Sequence, residues 1–272
     1  RAGTARHVLY WCTSARRVRF NFGLERAADW ARELQLPLVV LEGLRSGYPW
    51  ASDRLHRFVL EGMADTARRL AGSGVAYHPY VEPAAGHGRG LLEAFAAEAA
   101  VVVTDHFPTF FLPRMGEAAA AKLDVRLEVV DANGLTPLAA TPAAFPTAYA
   151  FRRFLHKNLL GHLEALPLED PLAVPLPGPA AIPETIRQRW PAAAPELLAA
   201  SPAALAALPV DHTVAPSPIA GGAVAGERAL ADFLEHGLER YGEHRNRPDD
   251  DVSSGLSPYL HFGQLAAHEV FL

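Results

Sequence analysis

The sequence predicts an α/β fold: a five-stranded parallel sheet with helices on both faces, followed by a long connector and the start of an all-α region. Three observations carry this. Short runs of strand-forming residues alternate with segments of helical periodicity, some of those runs are apolar throughout, and the alternation ends in a proline-rich stretch.

Residues 7–12 (HVLYWC) are an apolar run rich in strand formers. Thr13 and Ser14 interrupt it, and Leu24, Ala27, Ala28, Ala31 and Leu34 then recur at helical spacing, so the chain opens with a βα unit. Strands are expected at 38–41, 75–81, 101–104 and 125–130, with helices at 52–71, 88–99 and 113–122 between them. The runs at 38–41 and 101–103 do not alternate, as befits strands buried on both faces, and belong in the middle of the sheet. The run at 75–81 is interrupted by Tyr77, His78 and Tyr80, which puts it nearer an edge or at a ligand-facing strand end.

Ligands of such sheets bind outside the carboxyl ends of the strands, which directs attention to 12–17, 42–52, 82–90 and 105–108. Within that set, the turn Gly86-His87-Gly88-Arg89-Gly90 lacks the dinucleotide spacing and any Walker lysine and follows the third strand. It reads as a flexible turn rather than a phosphate cradle.

After 131–134 the pattern changes. Residues 145–165 read as one amphipathic helix carrying Phe151, Phe154, Leu155, Leu159 and Leu163, with Arg152, Arg153, His156 and Lys157 as a solvated face that could add a basic patch. The stretch 166–220 holds about half of the 23 prolines and reads as an interdomain connector extended along the surface. Helical pattern returns at 227–241 and breaks at Arg245-Asn246-Arg247-Pro248. Asp249, Asp250 and Asp251 follow as a loop or helix-start cluster, Pro258 opens another helix, and 263–272 reads as one more helix beginning. The organisation is thus an α/β domain over 1–135, a helix and connector over 136–225, and the beginning of a helical domain over 226–272. The opening at Arg1 and the ending at Leu272, inside a rising helical pattern, both read as cuts.

Half of the 272 residues are hydrophobic, enough for a substantial core. A formal net charge of -5 provides no global positive field, so any nucleic-acid contact is local. Lys122 and Lys157 are the only lysines, and the excess of arginine reads as coding bias before it reads as phosphate recognition. The single cysteine, Cys12, excludes an internal disulfide framework and a Cys-based zinc cluster, and implies reducing, cytoplasmic residence. No apolar run reaches the roughly 20 residues of a membrane span, and no signal core follows the N-terminus. His244, His261 and His268 lack the partners that would complete a metal site, so no metal is expected. Trp11, Trp30, Trp50 and Trp190 read as core residues rather than as an electron-transfer chain.

The stretch 241–263 carries the chemistry. Ser253, Ser254, Gly255, Leu256 and Ser257 lead into the Pro258 helix and offer hydroxyls and free amides at a positive helix end, a suitable cradle for an anionic diphosphate. Taken by themselves the same residues read first as a plain cap and turn.

The segment Ser-Ser-Gly-Leu-Ser-Pro-Tyr-Leu-His-Phe-Gly at 253–263 resembles the flavin-domain signature of DNA photolyases and cryptochromes, and its His-Phe-Gly ending is more similar to the class II branch than to class I. At the other end Tyr10-Trp11, Arg17, Asn21 and Leu24 resemble the family's opening pattern, which this chain leaves at Ser14, Ala15 and Phe20. Val129-Val130-Asp131-Ala132-Asn133 resembles the segment that closes the α/β domain in class II members.

The resemblance implies a Rossmann-like N-terminal domain and FAD held by Tyr241, Ser253, Ser254, Gly255, Leu256 and Ser257. It implies DNA phosphate contact by Arg245, with Arg247 beside it, although both arginines could instead pair with Asp249, Asp250 and Asp251. The implied activity is that of a deoxyribodipyrimidine photolyase, a carbon–carbon lyase: reduced FAD, excited by light, donates an electron to a cyclobutane pyrimidine dimer flipped out of DNA, and the dimer splits. Catalytic and electron-relay residues are expected beyond Leu272, and a monomer is expected. A deazaflavin or folate antenna pigment remains open, since no side-chain code for one is visible. Two rivals remain: a cryptochrome-type photoreceptor, and a stand-alone nucleotide-binding α/β module, which leaves 241–263 unexplained. Without the rest of a flavin domain, 241–272 should be mobile or pack against a neighbouring molecule or the α/β domain.

Overall fold

The computed structural model describes residues 5–141, 143–179, 181–250 and 252–272; Asp251 of the acidic cluster lies outside them. Strands β1 (His7–Cys12), β2 (Leu38–Leu44), β3 (Ala76–Val81), β4 (Ala99–His106) and β5 (Arg126–Asp131) alternate with helices α1 (Phe22–Leu34), α2 (Asp53–Leu70), α3 (Leu91–Ala96) and α4 (Leu112–Lys122). The strands form one parallel sheet in the order β3-β2-β1-β4-β5. The two continuously apolar runs lie inside the sheet, and the interrupted one, β3, is an edge.

Because successive side chains of a strand point to opposite faces, β1 feeds two cores. Val8, Tyr10 and Cys12 pack with Leu24, Ala27, Ala28 and Ala31 of α1, while Leu9 and Trp11 pack on the other face with Phe95 of α3. Asn21 starts α1 as its N-cap: its side chain accepts from the Leu24 amide and donates to the carbonyls of Ala15 and Arg17.

Three expectations are corrected. The helix expected at 88–99 is only α3, because turns occupy the residues before Leu91 and β4 begins at Ala99. The connector, expected to run extended along the surface, folds in part into the core. After α5 (Ala148–His162), none of whose residues is fully buried, come the short helices α6 (Glu184–Arg189), α7 (Pro195–Leu198) and α8 (Pro202–Ala206). Ile186 and Trp190 cover the sheet face around Leu9, Trp11 and Phe95, and Leu198, Leu205 and Leu208 pack on Leu44, Leu60 and Met63. Trp190 donates from its indole to His87 O (2.9 Å), and its own carbonyl accepts from His78 Nε2 (3.0 Å).

The third correction concerns the end of the chain. Helix α9 (Ala223–Asp232) runs through a π-helical stretch (Phe233–Gly237) into α10 (Leu238–His244), and the single-turn α11 (Ser257–His261) precedes α12 (Ala267–Phe271). The helix expected from Gly263 begins only at Ala267, because Gly263 turns the chain at φ +67. Leu256, Tyr259 and Leu265 pack with Phe58 of α2 and Leu230 of α9, so the end of the chain lies against the α/β domain, one of the arrangements expected for it. No helix among the described residues is long and apolar enough to cross a membrane.

Candidate functional site

At the carboxyl ends of the strands stand three buried acids. Asp105, near the end of β4, accepts through Oδ2 from the amides of Thr13 (2.8 Å), Ser14 (2.8 Å) and Ala15 (3.0 Å), and through Oδ1 from the Tyr10 hydroxyl (2.6 Å). Its carboxylate thus fills the ring of amides after β1, where a phosphate sits in dinucleotide-binding sheets. Burial, reinforced by the Asp105 charge, pushes the Tyr10 hydroxyl pKa well above its ordinary range.

Glu82, just past β3, accepts from the amides of Gly86 (2.9 Å), Gly88 (3.2 Å) and Ser46 (3.0 Å). Burial by itself would raise its pKa, but the Gly88, Ser46 and Gly86 amides, helped by Arg45, outweigh burial and hold the carboxyl below its ordinary value. The Gly-rich turn is therefore a turn whose amides its own acid already engages. Glu42 of β2 pairs with Arg16 (2.6 Å) and accepts from the Tyr77 hydroxyl (2.6 Å). With internal carboxylates seated on these amides, neither turn presents them to an outside phosphate.

Outside the acids lies an aromatic cluster on the loops after β2 and β4. Trp50 is 63% exposed and Phe110 60%, with ring centroids 6.4 Å apart. Phe110 also stacks on Phe107 (6.4 Å) and meets His261 of α11 edge-on (6.1 Å). Tyr48 lies against Phe111 and stacks on the buried His56. Trp50 is thus no core residue: it sits on a strand-end loop beyond the sheet, whereas Trp11 and Trp190 are buried.

The serine loop is pinned from inside. Val252 and Leu256 are buried, Ser253, Gly255 and Ser257 face solvent, and Gly255 turns the backbone at φ +64, a conformation that a side chain would strain. Ser254 Oγ accepts a long bond from the Leu256 amide (3.5 Å), while the hydroxyls of Ser253 and Ser257 have no partner among the described residues. Three hydroxyls, two of them without a partner among the described residues, form a donor set that fits an anionic diphosphate. Helix α11 is one turn long, so its dipole adds less than the sequence pattern suggests.

Tyr241 lies on α10, edge-on to Phe233 (5.4 Å) and under the Arg245 guanidinium (5.6 Å), with no hydrogen bond to the serine loop. Asp250 joins α10 to the loop by taking His244 (2.6 Å) and Arg240 (3.4 Å). His244 holds the Asp250 carboxyl below its ordinary pKa. Arg247 reaches Asp250 only at 4.0 Å, and Arg245 has no ion pair among the described residues. Among the described residues, pairing with the acidic cluster thus accounts loosely for Arg247 and not for Arg245. Among the described residues no group of His, Cys, Asp and Glu is gathered as a metal site.

Comparison with known proteins bears on this arrangement. A deoxyribodipyrimidine photo-lyase of Methanothermobacter thermautotrophicus is 29% identical over 265 residues, covering 96% of this chain and 54% of that protein. One from Potorous tridactylus is 25% identical over 269 residues, covering 97% of this chain and 47% of that protein. The fold also superposes on the Synechocystis cryptochrome at a TM-score of 0.69, with 18% identity, over 98% of this chain and 55% of that one. The chain is similar in sequence to photolyases and in fold to a cryptochrome. No family model matches it. It spans about half the length of the photolyases it matches.

The sequence pattern singles out the serine loop and both arginines but not the buried groups around the turn that follows: Arg17 as a donor, Asp105 and Gln264. Asp105 carried a faint signal as an acid at the end of an apolar strand. Gln264 carried none.

Proposed function

We propose that this chain contributes to light-driven repair of cyclobutane pyrimidine dimers in DNA, as part of a deoxyribodipyrimidine photolyase of class II character. The observation that carries the reading is the solvent-facing run of Ser253, Gly255 and Ser257, with Ser254 half-buried among them, in a chain whose curated relatives include photolyases. Ser253, Ser254, Gly255, Leu256 and Ser257 would hold the FAD diphosphate, with Tyr241 lending its ring nearby. The bound flavin supplies the light-driven electron, while the chain's residues bind and orient it. Arg245 and Arg247 would contact DNA phosphate, adding affinity without sequence information. We read 1–135 as the α/β domain, 136–225 as the connector and 226–272 as the beginning of the flavin domain, in a cytoplasmic protein.

The exposed rings of Trp50, Phe110 and Phe111 favour a seat for a flat antenna pigment at the strand ends, whether deazaflavin or folate. The cryptochrome-type photoreceptor remains the alternative, since a cryptochrome shares the fold. In the full gene product, Ser254→Ala and Ser257→Ala should each weaken FAD retention by about 0.5–3 kcal/mol. A doubly substituted protein that purifies with undiminished flavin rejects the loop assignment, and failure to split dimers in light, with flavin bound, favours the photoreceptor.

A further inference from the structure

We propose that Arg17 is a positioning residue: its buried guanidinium sets the turn behind the serine loop in register with the α/β domain, and so places a flavin-binding loop that it does not touch. The inference rests on the reading of 253–257 as the diphosphate loop.

Arg17 is only 6% exposed. Its Nε donates to Phe20 O (3.1 Å), Nη1 to Gly263 O (3.0 Å) and Nη2 to Ala132 O (3.2 Å). The rigid fork thereby joins the loop after β1, the end of β5 and the turn after α11. No carboxylate among the described residues forms an ion pair with it. Its hydrogen bonds among the described residues all go to carbonyls, with the Asp105 and Glu269 carboxylates attracting it without an ion pair. A buried cation so held is often no more stabilising than an apolar side chain of similar size, so what Arg17 contributes is geometry.

The turn it grips is wedged in place. A Cβ at Gly263 would lie 1.8 Å from Ser14 O, so the two backbones touch. Ser14 is itself fixed, because Asp105 holds the amides of Thr13, Ser14 and Ala15. The next residue, Gln264, is 1% exposed; it accepts from the Gly222 amide (2.7 Å) and donates to Phe58 O (3.0 Å). Two consecutive residues are therefore clamped to β1, β4, α2 and the start of α9. The turn is bonded to α11 through Gln264 N to Tyr259 O (2.8 Å) and Gly263 N to Leu260 O (3.2 Å), and α11 begins at Ser257. A shift at Gly263 is passed across one helical turn to the loop serines.

The test compares wild type, Arg17→Met, Arg17→Lys and Gly263→Ala in the full gene product, reading amide hydrogen exchange region by region and the rate at which FAD dissociates. Arg17→Met should raise exchange at 257–268 and speed FAD loss, each on the order of tenfold, while β1 and β4 stay protected. Arg17→Lys, which can serve one carbonyl, should fall between, and Gly263→Ala should match Arg17→Met. Combined with Ser254→Ala, Arg17→Met should add little further FAD loss, because both act on one loop. Unchanged exchange at 257–268 in Arg17→Met overturns the proposal, as does a loss of protection spread equally over β1 and β4 in both Arg17 variants. Wild type that binds no FAD rejects the flavin reading instead, and the exchange comparison still decides whether Arg17 sets the turn.

Discussion

His7 and His78 are buried, and each donates from Nε2 to a carbonyl, of Phe95 (3.1 Å) and Trp190 (3.0 Å) respectively. His56 is buried as well and makes no well-aligned hydrogen bond. Burial lowers all three pKa values from the ordinary 6.5, and lowers that of His268, beside Arg17, in the same direction. Below that value the unfolded chain binds protons that the folded chain refuses. The stability these groups contribute is therefore full above the unfolded pKa and is lost as pH falls from it towards the folded values. Glu82 follows a separate, lower window: its carboxyl is depressed from 4.5, so its contribution is lost as pH falls below that value through the folded pKa. Urea unfolding should thus show a midpoint that is flat between about pH 7 and about pH 8, falls below about pH 6.5, and falls further below about pH 4.5. A midpoint unchanged between about pH 7 and about pH 5 contradicts the histidine assignment. At this scale the readable residues were those in a local pattern, such as the serine run. Arg17 was readable only as a match to a pattern, because its partner Gly263 lies 246 positions away and only the fold brings them together.

The elements that alternate regularly were readable, because a buried parallel strand and an amphipathic helix each impose a period on the sequence. The connector was not. Its prolines truthfully signal irregular backbone, yet Ile186, Trp190, Leu198 and Leu205 follow no period and their burial is set by the sheet and α2 beneath them. The consequence is energetic: 184–208 belongs to the core of the α/β domain. Trp190→Ala should destabilise the protein by about 3–5 kcal/mol, since it removes a buried ring along with its bond to His87 O. Denaturant unfolding of the chain measures this, and a loss below about 1 kcal/mol would mean that the connector is only draped over the sheet. Likewise α12 was misplaced by several residues because helical pattern alone does not register the positive φ of Gly263.

For the molecule as a whole, sheet and serine loop stand in one packed body, yet the loop's polar side faces water. Ser253, Gly255 and Ser257 are exposed, and Tyr241 is engaged with Phe233 and Arg245 rather than with the loop. A flavin carries a large apolar ring system, and sites for such ligands enclose most of the ligand with side chains from several elements. Here the candidate cradle is one loop and one helical turn. Contacts to a diphosphate made in water compete with solvent and are screened by salt, so they contribute little when nothing covers the ring. The chain of 272 residues should accordingly bind FAD more weakly than about micromolar, roughly -8 kcal/mol, even if the full gene product holds it firmly. Titration of the chain with FAD, followed by flavin fluorescence at low and high salt, tests this. Weak binding that fades with salt and with Ser254→Ala supports a diphosphate cradle without its ring pocket. A salt-independent stoichiometric complex would locate a ring site among these residues, and the aromatic cluster of Trp50, Phe110 and Phe111 is where to look for it, by repeating the titration with Trp50→Ala.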